Sequence, residues 1–172
     1  MTIDLQQDTH FTRSSMAERL GMFTGSAAYY AALDDIISRV TRHLVIVGWS
    51  FDDRVTLRRP ATDGDAYPSV GDRFLTLAAN DPDVRIDLCV WDAPSVFPAD
   101  QHITSTFLRR AAELPNFSIR RIPSHSAFSS RHEKYIIVDG VLAFVGGMDI
   151  SHNRWDEPGH LGHDPRRTNP DA

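Results

Sequence analysis

"HLVIVGWSFDD", residues 43–53, decides the fold. Leu44 to Val47 is an unbroken apolar run, β-branched at Val45, Ile46 and Val47, and it gives way to a polar tail ending in Asp52 and Asp53. The run is too short for an ordinary helix and lacks the polar alternation of a half-exposed strand. It reads as a strand buried on both faces, the kind a parallel sheet needs. Upstream, Ala27, Tyr30, Leu33, Ile37 and Val40 recur at helical spacing between Gly25 and Arg42. Downstream, residues 53–70 have no period and read as a loop. "VGDRFLTLAAND" (70–81) is a short helix closed by Asn80 and Pro82. "DVRIDLCVWD" (83–92) is a second strand, "ADQHITSTFLRRAAEL" (99–114) a helix with Ile103, Phe107, Leu108 and Ala111 on one side, and "NFSIRRI" (116–122) a third strand. In "KYIIVDGVLAFVGG" (134–147), Asp139-Gly140 separates two apolar runs, a strong hairpin signal. This order predicts an α/β chain, an α-β-α sandwich around a mixed, largely parallel sheet with right-handed crossovers. The expected division is a polar leader over 1–24, one domain over 25–149 and a polar C-terminal segment over 150–172.

Composition narrows the function classes. With 172 residues and 41% hydrophobic side chains the chain can build one core. A formal charge of −5 argues against wholesale nucleic-acid binding. The single cysteine, Cys89, lies inside an apolar run, so the chain can form no internal disulfide, and the thiol reads as core. The N-terminus has neither the basic nor the apolar region of a signal peptide. No stretch approaches the roughly 20 apolar residues that span a bilayer. The expected location is the cytoplasm.

Of the 18 basic residues only Lys134 is a lysine, and it stands in "SRHEKYIIVDGVLAFVGGMD", residues 130–149. If this stretch is extended, side-chain alternation points His132 and Lys134 the same way. An imidazole titrating near neutrality can serve as nucleophile or proton carrier. An ammonium places compact charge where a phosphoryl group accumulates negative charge, which the planar fork of arginine does less well. A glycine pair, Gly146-Gly147, lets backbone approach a ligand.

The full spacing, His132-x-Lys134-x4-Asp139-x6-Gly146-Gly147-x-Asp149, resembles the HKD motif of the phospholipase D superfamily. "GGMDISHNRWDEPGH" (146–160) is similar to the continuation of that motif in eukaryote-like and related bacterial phospholipases D. "AYYAALDDIISRVTRHLVIVGWSFD" (28–52) resembles the family's first helix and strand, so the likeness runs over about residues 20–165. The resemblance implies a phosphodiesterase that hydrolyses or transfers phosphatidyl groups through a phosphohistidine, without a cofactor or catalytic metal. His132 would attack phosphorus or carry the proton, and Lys134 would hold the non-bridging oxygens with help from Asp149 or its neighbourhood. Gly146 and Gly147 would lie against the substrate. Asp139 belongs to the motif, but its place at the head of the Asp-Gly turn gives it a structural reading. A carboxylate on the second ring nitrogen would fix the His132 tautomer, and Asp156 and Asp164 are both candidates.

Other polar groups have plainer readings. His152, His160, His163, Asp156 and Asp164 include metal-ligating types but lack a tight ligand spacing. The arginines from Arg109 to Arg131 read as solvated surface or, alternatively, as a rim attracting phosphate esters, His125 reads as a loop histidine, and Trp49, Trp91 and Trp155 read as packing. Members of the family work with two motifs, and this chain has one. The expectation is therefore a half-site, completed by a C-terminal half or by a second copy in a homodimer. Its expected substrate is a phospholipid or other phosphodiester, with peripheral membrane contact. The alternatives are a homodimeric nuclease of the same chemistry and a silent domain that binds phosphoester or membrane.

Overall fold

The run from Leu44 to Val47 is the centre of strand β1 (His43–Gly48) in the computed structural model, which describes residues 6–9, 12–59, 67–92, 102–124, 126 and 129–167. Helix α1 (Ser26–Ile37) precedes it. Helix α2 (Val70–Asn80), strand β2 (Arg85–Asp92), helix α3 (Ser105–Ala112) and strand β3 (Phe117–Pro123) follow. The hairpin of β4 (Tyr135–Val138) and β5 (Leu142–Val145) comes next, then a single 3-10 turn at His152–Arg154. The strands form one mixed sheet in the order β3-β2-β1-β4-β5, parallel from β1 to β3 and antiparallel from β1 to β5. The α/β class and the mixed sheet are as the sequence predicts.

Both parallel crossovers step the same way across the sheet, so right-handed connections put α2 and α3 on one face. There Leu44, Ile46, Ile86, Leu88, Ile136 and Phe144 meet Tyr30 and Leu33 of α1, Phe74 of α2 and Phe107 of α3. The alternate side chains of β1, Val45 and Val47, are only half-buried. The reading of β1 as enclosed on both faces therefore holds on the helix side alone, because the layer of helices lies on that side.

Helix ends follow their sequence signals. Ser69 caps α2 by accepting the Asp72 N–H, and Thr104 caps α3 by accepting that of Phe107. The predicted helix over 99–114 starts at Ser105, and its first residues, 99–101, lie outside the described residues, as does His125. Helix α1 stops at Ile37 rather than Arg42, because Thr41, Arg42 and His43 are held by Asp139. The loop read over 53–70 contributes two core side chains, Val55 and Leu57, where Val55 O accepts the Val70 N–H. Residues beyond Asp149 also join the core: Ile150 bridges Phe51, and Ile150 and Trp155 are buried.

Candidate active site

The chain winds from β1 through β2 to β3, then returns to the other side of β1 to start β4. Open α/β sheets bind ligands at such a switch of direction, beyond the carboxyl ends of the strands. Here that place lies between Gly48–Ser50, leaving β1, and His132–Lys134, entering β4, since Val47 pairs with Tyr135.

The sheet ladder frays there. The Gly146 N–H reaches Lys134 O, and β4 itself begins at Tyr135. His132 and Lys134 therefore lie outside the strand, and their exposures differ: His132 is exposed, Lys134 buried. The Lys134 ammonium faces Asp149 Oδ2 at 3.3 Å, with both side chains almost wholly enclosed, and donates to the carbonyl oxygen of His132 at 3.4 Å. Asp149 Oδ1 accepts the backbone N–H groups of Trp49 at 2.8 Å and Ser50 at 3.1 Å. The Asp149 carboxylate thus points inward, joining Lys134 to the end of β1. At 3.3 Å the opposite charges of Asp149 and Lys134 attract each other.

Two residues outside the motif complete this arrangement. A side chain at Gly48 would come within 3.0 Å of Asp149 Oδ1 and of Ser50 O, so glycine is what lets the carboxylate approach. Tyr30, wholly buried on α1, donates its hydroxyl to Asp149 O at 2.8 Å, and Ser151 N–H donates to the same hydroxyl at 3.2 Å. Burial raises the Tyr30 phenol far above its ordinary range and pushes that of neighbouring Tyr29 up to about 12. Gly48 was legible in the quoted "GWSFD". Tyr30 was legible as a core position and not as a clamp, because its partner is 119 residues away.

The other sequence candidates go elsewhere. Asp139 sits at the far end of β4, at φ +54°, and its carboxylate accepts from Thr41 N and Oγ1, Arg42 N and His43 N. Desolvation pulls its pKa up, but the His43 N–H, the Thr41 hydroxyl and the N–H groups of Thr41 and Arg42 outweigh it and hold the carboxyl at about 2. Asp156 pairs with His160 at 2.7 Å and with Arg167, and its backbone ties to Ser26 and Ala27 at the start of α1. Asp164 is held by Arg166. Neither carboxylate joins His132, because each is committed to its own basic partner. Among the described residues no hydrogen bond or ion pair reaches the His132 imidazole. Its ring lies 6.3 Å from that of Trp49, centroid to centroid. Gly146 and Gly147 are exposed, with open space where a side chain would stand. The arginines of 109–131 do not form one rim: Arg110 faces Asp72, Arg120 faces Asp87 and Arg121 faces Asp92.

No family model matches the chain. Among curated proteins it is similar to phospholipase D2 of Bos taurus, 30% identical over 137 residues, 78% of this chain and 14% of that protein. It is 27% identical to phospholipase D1 of Rattus norvegicus over 80% of this chain and 13% of the relative. For phospholipase D1 of Schizosaccharomyces pombe the identity is 28%, over 76% of this chain and 10% of the relative. The chain thus spans about a seventh or less of the length of these relatives. Aligned over three quarters or more of its own length with several phospholipases D, the chain belongs to the phospholipase D superfamily.

Proposed function

We propose that this chain supplies one half of a phosphodiesterase site of phospholipase D type, acting on phospholipid head groups. The observation that carries the reading is the enclosed Lys134–Asp149 pair, set beside an exposed His132 at the switch point of the sheet. In this reading His132 attacks phosphorus, a P–N bond forms as the P–O bond to the leaving alcohol breaks, and Lys134 offsets charge on the non-bridging oxygens. A second HKD histidine, from further polypeptide or another copy, protonates the departing oxygen. Water or an alcohol, giving its proton to that second histidine, then displaces His132 from phosphorus, so that a new P–O bond forms as the P–N bond breaks, giving hydrolysis or transfer. Asp139 has no step in this scheme and acts by fixing the hairpin. Asp149 positions Lys134.

Among the described residues no helix is long and apolar enough to cross a membrane, and contact with lipid in this proposal is peripheral. The test is turnover of phosphatidylcholine and of DNA by one preparation carrying this chain with a second motif, beside its His132→Ala counterpart. Phosphatidylcholine turnover lost in the variant supports the reading. DNA turnover alone transfers the chemistry to a nuclease, and turnover of neither leaves a binding domain.

A further inference from the structure

Resting on the reading of His132 as the reacting group, a second question is what holds its ring. Among the described residues no carboxylate does. Trp49 leaves β1 with its indole 6.3 Å from the imidazole, tilted by 60°, within the roughly 4.5–7 Å range of interacting rings. Trp49 also stacks on Trp91, centroids 5.5 Å apart and planes within 24°. Trp91 is itself buried, and its Nε1–H donates to Ser124 Oγ, which donates in turn to Ser129 O. Ser124 and Ser129 belong to the segment that leads from β3 to His132. The backbone N–H of Trp49 meanwhile holds Asp149, the counter-ion of Lys134. Trp49 therefore touches both sides of the proposed machinery: main chain to the lysine side, indole to the histidine.

We propose that Trp49, backed by Trp91, is a positioning residue for His132, setting the imidazole's orientation by ring packing. The side chain alone carries this role, since any residue at 49 except proline keeps the N–H on Asp149. Misplacement of a reacting group by about 1 Å can cost about 100-fold in rate.

The test has an arm that needs no turnover. In the nuclear magnetic resonance spectrum of the whole chain, the His132 ring protons, assigned by their loss in His132→Gln, should carry a ring-current displacement. That displacement should vanish in Trp49→Ala, persist in Trp49→Phe, and change in Trp91→Phe. With a bis(p-nitrophenyl) phosphate substrate, whose leaving group needs no acid, nitrophenolate release should slow by about 10- to 100-fold in Trp49→Ala with KM unchanged, and recover in Trp49→Phe. Should Trp49→Ala fail to fold, Trp49→Phe and Trp91→Phe carry the spectral comparison. Identical His132 signals in all folded variants overturn the proposal. So does a raised KM with unchanged kcat, which would make Trp49 a substrate contact. An unreactive wild-type chain would count against the functional reading, and the spectral arm would still decide the role of Trp49.

Discussion

Asp139 occupies the left-handed region at φ +54°, which asparagine and aspartate tolerate and alanine tolerates poorly. Asp139→Ala should destabilise the fold by about 1–2 kcal/mol through loss of its cap-like acceptors, and Asp139→Asn by less, in urea unfolding at neutral pH. Its carboxyl is held at about 2 in the fold, against about 3.9 unfolded. A depressed carboxyl stabilises fully above the unfolded value, so its contribution should be present above about pH 4 and fade as pH falls through about 2. Asp139→Asn should flatten that part of the stability profile; an unaltered profile would mean the carboxylate is not bound as described. The Lys134–Asp149 pair behaves differently, being enclosed. Asp149→Ala strands a buried ammonium and should cost about 3–5 kcal/mol, measured the same way. Lys134→Arg keeps the charge in a space shaped for a narrower side chain. It should lose most turnover in a competent assembly and about 1–3 kcal/mol of stability. Comparable turnover would show that charge alone suffices.

Strand β1 and the β4–β5 hairpin were legible because their signals are local: a β-branched run and an Asp-Gly turn. Both turn residues take positive φ, so Gly140→Ala should cost about 1 kcal/mol in thermal unfolding, and a neutral result would contradict the turn geometry. The sequence read less well where distant groups decide. Val40 continued the helical period, yet α1 ends at Ile37, since the chain must leave the helix to clasp the hairpin turn. The alternation of Val55 and Leu57 lay within an otherwise polar stretch, and their burial depends on the bridge between Thr56 and Ser69. His132 and Lys134 were read as neighbours on one strand face; the strand starts one residue later, which separates an exposed imidazole from an enclosed ammonium. The ties of Tyr30 to Asp149 and of Ser26 to Asp156 span more than a hundred residues and have no local signature.

At the scale of the molecule, two surfaces bear on the one-motif problem. Val45, Val47, Cys89 and Ile137 line the sheet face away from the helices and are only half-buried. Among the described residues no strand pairs with the outer side of β5, which has no charged residue from Val141 to Gly147 and leaves Val141 and Val145 more than four-fifths exposed. Uncharged edges and open apolar faces favour association. The isolated chain should therefore self-associate in size-exclusion chromatography, and a clean monomer at high concentration would show that these surfaces are tolerated. Without a second histidine to protonate the leaving alcohol, phosphatidylcholine turnover by the chain alone should fall short by roughly 10²- to 10⁴-fold. A nitrophenyl ester bypasses that need, which makes one measurement most direct: rapid-quench of the chain with ³²P-labelled bis(p-nitrophenyl) phosphate. If His132 is the nucleophile, the chain gives a burst of at most one nitrophenolate per chain, with label on His132 and no burst in His132→Ala. An equal burst in His132→Ala, or label recovered on another residue, would contradict it.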